Sequence, residues 1–74
     1  METEHMIHMA NQIGSFFAAY PKNEAVAGIK DHLEKFWEPR MRRQIIEYAA
    51  QGAGGLHEYV LEAVKQLAPA PASK

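Results

Sequence analysis

The stretch Lys35-Phe-Trp-Glu-Pro-Arg-Met-Arg-Arg-Gln-Ile45 lies near the middle of this 74-residue chain. It places the single tryptophan beside Pro39 and three arginines. Proline disfavours helical backbone angles in the residue before it and fits the first position of a following helix. The stretch therefore predicts that one helix ends near residues 37–39 and that another begins at Pro39. Because tryptophan and arginine dominate binding hot spots, the same corner is a candidate contact with another molecule.

On both sides of this corner the apolar residues recur with a helical period. We predict helices at about residues 5–20, 23–37, 39–51 and 56–68. Pro21 is expected to stop the first helix, Asn23 to cap the second, and Gly52 to supply the left-handed residue after the third. Residues 69–74 have nothing to bury and predict a disordered Pro/Ala tail. The predicted architecture is all-α, a small bundle of about four short helices in a single domain over residues 1–68.

The predicted helices each have an apolar face. In the second helix this face comprises Val26, Ile29, Leu33, Phe36 and Trp37. Two helices are also interrupted by Gly14 and Gly28, where glycine costs roughly 0.5 to 1 kcal/mol relative to alanine. Glycine leaves room for another backbone, so either the first helix packs closely on the second or a partner docks there. A chain this small is not expected to bury all of its aromatic side chains.

The composition excludes several classes of function. The chain has no cysteine, which rules out disulfides, thiolate nucleophiles and thiolate-ligated zinc or iron–sulfur sites. A net charge of -1 gives no broad attraction to nucleic acid or anionic lipid. No apolar run approaches the ~18 residues that span a bilayer, and the acidic start is unlike a secretory signal. These features predict a cytoplasmic protein without a membrane anchor. Because a chain of this size has a small core, we expect a partner to add to its stability.

Residues suited to catalysis are few. His5 and His8 are three apart on a helix and would approach one metal ion, but two ligands alone make a weak site. An enzyme would need His32 or His57 as a third ligand, and these two are expected to be histidines at the edge of an apolar face, bonded to neighbours. The sequence favours a non-enzymatic interaction module, with intrinsic catalysis as the alternative.

The three arginines of the corner differ in position. Arg42 falls between Ile46 and Ala49 on the apolar side of the third helix, whereas Arg40 and Arg43 fall on its polar side. Burying an unpaired guanidinium is costly, so Arg42 either extends to solvent or meets an oxygen of another chain. The cluster also suggests a helical DNA-binding module as an alternative function, which the net charge and the lack of a second basic patch disfavour.

Two long motifs and several shorter ones carry a family resemblance over about residues 6–67. They are Met9-Ala-Asn-Gln-Ile-Gly14, Phe16-Phe17, Pro21, Glu24-Ala25, Gly28-Ile29, His32, Lys35-Phe-Trp-Glu-Pro-Arg-Met-Arg42, Gly54-Gly-Leu56 and the group Val60, Glu62 and Ala63. Together they closely resemble the delta subunit of soluble NAD-dependent formate dehydrogenases. The resemblance implies an accessory chain of a cytoplasmic complex that oxidises formate and reduces NAD. It also implies that the larger chains hold a molybdenum or tungsten pterin cofactor, iron–sulfur clusters and FMN.

The partner expected from this resemblance is the large catalytic alpha subunit, with no role for nucleic acid or membrane. The delta chain would assist assembly, cofactor maturation or stability, and no catalytic, cofactor-binding or metal-ligating residue is predicted in it. The predicted partner-binding residues are Trp37, Arg40, Arg42, Arg43, Asn11, Gln12 and Phe16. Asn11 and Gln12 are included because two amides are unusual in an otherwise apolar helix. In isolation the chain is expected to form a homodimer through the same surface.

Overall fold

Short turns connect the helices of this protein. The computed structural model describes residues 2–52 and 54–67. Within them lie four helices, α1 (Thr3–Phe17), α2 (Lys22–Phe36), α3 (Pro39–Ala50) and α4 (Glu58–Leu67), which confirms the all-α class. No helix in this part of the chain is both long and apolar enough to cross a membrane. The predicted tail, residues 69–74, lies outside the described residues, so the division of the chain at residue 68 stays a prediction.

The turn between α1 and α2 differs from the prediction. Helix α1 ends at Phe17, three residues earlier than predicted, so Pro21 does not stop it. Pro21 instead precedes the first residue of α2, and its carbonyl oxygen accepts a bond from the Ala25 amide at 2.8 Å. The prediction that Asn23 caps α2 is therefore wrong. Asn23 lies inside the first turn, because the fixed φ of proline already sets the chain up to enter the helix two residues earlier.

The corner between α2 and α3 is confirmed. Trp37 and Glu38 have extended backbone angles, with ψ of 138° and 152°, and Pro39 is the first residue of α3. Proline lacks an amide hydrogen, which the first turn of a helix does not need. Helix α3 ends at Ala50, and Gly52 has the positive φ expected after a helix, at 135°.

The core lies where α4 packs across α2, with α1 and α3 beside it. Its fully buried large side chains are Met6, Ile29, Leu33, Ile45, Val60 and Val64. Trp37 closes one end of this core with 5% of its surface exposed, whereas Phe36 is 71% exposed, so its predicted place on the buried face is wrong. A helical wheel assumes that the helix continues through Trp37. The backbone of Trp37 is extended instead, so the side chain of Trp37 rather than that of Phe36 enters the core at this end of α2.

The two mid-helix glycines permit close packing within the chain. A Cβ added at Gly28 would lie 2.5 Å from Cε1 of Phe17, so this glycine brings α1 against α2 as predicted. A Cβ at Gly14 would lie 2.7 Å from Cγ2 of Val60, so Gly14 accommodates α4 rather than α2. Real Cβ atoms do not approach other atoms this closely. The close approach that each glycine allows is therefore within this chain.

Candidate partner-docking surface

Arg42 binds the carboxyl end of α2. Its Nη1 donates to the backbone oxygen of Glu34 at 3.1 Å, to that of Leu33 at 3.4 Å, and to that of Trp37. The last carbonyls of a helix have no partner within the helix and carry the negative end of its dipole, so a guanidinium is well placed there. The sequence offered solvent or another chain as the environment of Arg42. The oxygens bound by Nη1 belong to its own chain, a third environment that the sequence did not suggest.

We expect Arg42→Ala to lower the free energy of unfolding by about 1.5–3 kcal/mol, the range for hydrogen bonds that involve a charged group. The matched control is Arg43→Ala on the same helix, which removes an exposed arginine and should change stability by less than about 0.5 kcal/mol. Arg42→Lys keeps the charge and should retain part of the stability. Urea denaturation followed by circular dichroism measures all three. Equal losses for the two alanine variants would show that the carbonyl contacts contribute nothing.

Trp37 faces inward in this structure. Its side chain belongs to the core cluster, together with Leu33 and Ile29, and only an edge of it is reachable from outside. The residues predicted to bind a partner at the corner between α2 and α3 therefore fall into two groups, one with contacts inside the chain and one exposed. Trp37 and Arg42 hold the α2–α3 joint together by contacts within the chain, and their contact with a partner stays a prediction.

Arg40 and Arg43 remain exposed, as their places on the polar side of α3 predict. Neither has a carboxylate within ion-pair distance in the described parts of the chain, where the two ion pairs are Lys30–Glu34 and Lys35–Asp31. With Arg42 bound to carbonyl oxygens, only two exposed arginines are left to contact phosphates. This is a small electrostatic footprint for DNA binding.

Asn11 ties α1 to the segment that leads into α4. Its Nδ2 donates to the backbone oxygen of Gly55 at 2.8 Å, and its Oδ1 accepts from the amide of His57 at 2.8 Å. Both ends of the side chain are thus used within the chain, which accounts for one of the two unusual amides of α1. Gln12 is exposed and lies on the other side of the helix, facing a groove.

This groove, the α1–α2 groove, is an open apolar depression on the surface of the described residues. Its volume is about 450 Å³, and it is lined by Met9, Gln12, Ile13, Phe16, Phe17, His32 and Trp37. Phe16 is 67% exposed. Phe36 extends beside the groove and its ring contacts that of His32, with the ring centroids 4.8 Å apart and the planes tilted by 41°. Two such exposed phenylalanines on one small chain are typical of a surface that another protein covers.

Four of the seven predicted partner-binding residues are thus exposed, namely Gln12, Phe16, Arg40 and Arg43. The other three, Trp37, Arg42 and Asn11, make contacts within the chain. Sequence reasoning missed Phe36, Met9, Ile13 and His32. One signal was available for Phe36: adjacent side chains at a helix end point in different directions, which argues against placing both Phe36 and Trp37 on one buried face.

The histidines do not form a metal site in the described residues. No group of three or more histidine or acidic side chains lies close enough to hold a metal ion within residues 2–52 and 54–67. His5 and His8 are exposed, and His57 accepts a bond from the Tyr59 amide at its Nδ1, 3.1 Å away, as expected of an edge histidine. The third ligand that an intrinsic metalloenzyme would need is therefore not found in this part of the chain.

The fold and its surface define a class of protein, a small helical bundle with an apolar groove on its surface. The family model for the NADH-dependent formate dehydrogenase delta subunit FdsD matches residues 5–64. The chain therefore belongs to this family, as the resemblance over residues 6–67 indicated. Searches of curated proteins and of solved structures found no match.

Proposed function

We propose that this chain is a non-catalytic delta subunit of a cytoplasmic formate dehydrogenase complex, which converts formate and NAD⁺ to CO₂ and NADH. It binds the large catalytic alpha subunit and assists assembly, cofactor maturation or stability. Family membership supports the choice of complex. The observation that carries the mode of action is the α1–α2 groove with Phe16 and Phe36 exposed beside it, because such a patch is costly to leave in water.

The cofactors of this proposal reside in the larger subunits, as a molybdenum or tungsten pterin, iron–sulfur clusters and FMN. The metal-binding side chains that this chain offers agree with a placement of the cofactors in the larger subunits. It contains no cysteine anywhere in its 74 residues, and thiolates are the usual ligands of iron–sulfur clusters. The contribution of this chain is therefore to hold protein surfaces together, through Phe16, Phe36 and the side chains between them.

The proposal is tested by expressing the larger subunits with and without this chain. We expect the complex made without it to have lower formate oxidation, lower pterin content per alpha subunit, or a lower thermal midpoint. Adding the purified chain afterwards separates the roles: restored activity indicates stabilisation of the finished complex, and unrestored activity indicates a role during maturation. A complex with the same activity, cofactor content and thermal midpoint in its absence contradicts the proposal, as does formate turnover by the purified chain alone.

A further inference from the structure

One side of the α1–α2 pair is left uncovered by the rest of the bundle. Helix α4 packs against both α1 and α2, and α3 packs against α4. The α1–α2 groove is lined by α1, α2 and Trp37, with no residue of α3 or α4. The groove is thus formed mainly by one face of α1, with His32 of α2 and Trp37 on its other side.

The spacing of the groove residues suits a helix. Met9, Ile13 and Phe16 follow one another at intervals of four and three residues, which places them on one face of α1 over a rise of about 10 Å. An amphipathic helix that lies in a groove between two helices presents its own apolar residues at the same intervals. An occupant with two or three large apolar residues along one face would match this length.

The groove has exposed positive charges near one end and no negative charge in its lining. None of its lining residues is acidic. Trp37 lies at one end of the groove. Arg40 is three residues further along the chain, so the Cα atoms of these two residues are at most about 11 Å apart. Arg40 and Arg43 are one helical turn apart and exposed, and neither Glu38 nor Glu47 lies within ion-pair distance of them. The guanidinium groups therefore have free donors, and carboxylates are the groups that they bind best.

We propose that the groove binds an amphipathic helix of the large subunit that carries carboxylates beside its apolar face, at the end next to Trp37. The apolar residues of this helix pack between Phe16 and Phe36, and its carboxylates pair with Arg40 and Arg43. This inference rests on the proposed function, since it specifies the segment that the alpha subunit contributes.

Photo-cross-linking in the intact complex identifies the occupant. A benzophenone amino acid, which keeps an aromatic ring, replaces the exposed Phe36, and the cross-linked peptide is sequenced by mass spectrometry. We expect a peptide of the large subunit with apolar residues at helical spacing and at least two acidic residues nearby. A cross-link to a second copy of this chain, or to a segment without acidic residues, overturns the inference. Tyr20, an exposed aromatic that does not line the groove, is the control position.

Charge reversal tests the pairing with the arginines. The double variant Arg40→Glu, Arg43→Glu should bind the rest of the complex about tenfold or more weakly at low salt, with a smaller deficit at high salt. Lys65→Glu, which reverses an exposed charge on α4, should leave binding unchanged. Changing the carboxylates of the cross-linked helix to lysine should restore binding of the double variant. If the native chain binds and the arginine variant binds equally well, this inference fails and the proposed function stands; if the native chain does not bind, the proposed function itself fails.

Discussion

Replacing Trp37 by alanine is expected to lower the free energy of unfolding by about 3–5 kcal/mol, the usual cost of truncating a large buried aromatic. Its side chain closes one end of the core and contacts the cluster around Leu33 and Ile29. A domain of this length has a total stability of only about 4–11 kcal/mol. The variant should therefore lose a large share of its stability, which urea denaturation followed by circular dichroism will show as a transition at a much lower urea concentration.

The neighbouring residue provides the matched control. Phe36→Ala removes an aromatic ring of similar size one position away, but this ring is exposed and contacts mainly His32. We expect it to cost less than about 1 kcal/mol. If the two variants were equally stable, the assignment of Trp37 to the inside and Phe36 to the outside would be wrong.

This pair also determines which variants are useful in binding studies. Loss of the subunit from a complex after Trp37→Ala or Arg42→Ala would report weakened folding, because both side chains stabilise the α2–α3 joint. Exposed residues avoid this ambiguity. Phe16, Phe36, Arg40 and Arg43 can be changed with little effect on the fold, so a loss of binding in these variants reports on the contact itself.

Much of the fold was predictable because local signals decide it. The helical period of the apolar residues predicts the four helices, and Pro39 fixes the corner since it excludes a helical Glu38. Gly28 was predicted to bring α1 and α2 together, and it does. Errors at the helix ends, at Phe17 and Asn23, amount to a few residues and reflect the weak preferences that decide where a helix begins.

Contacts between distant residues could not be predicted from the sequence, because a helical wheel orders the side chains around one helix axis and does not say which other helix lies opposite them. Gly14 therefore gave no indication that it packs against Val60, and Asn11 none that it binds a loop more than forty residues away. For Arg42, the wheel showed an arginine on the apolar side but not the carbonyl oxygens at the end of α2. The α1–α2 groove likewise exists only once two helices are placed side by side.

The second large effect is expected at this groove. The double variant Phe16→Ala, Phe36→Ala should retain its helical content and most of its stability, because both rings are exposed. It should nevertheless bind the larger subunits about 30-fold or more weakly, since the loss of even one central aromatic anchor costs on the order of 2 kcal/mol at an interface. Tyr20→Ala, which removes an exposed aromatic outside the groove, is the control and should bind like the native chain.

The affinity of this double variant for the alpha-containing complex, measured by calorimetry or biolayer interferometry beside the native chain, tests most directly whether the protein acts by docking through the α1–α2 groove. We predict a folded chain that has lost most of its binding. A folded double variant with native affinity would show that the larger subunits recognise another surface.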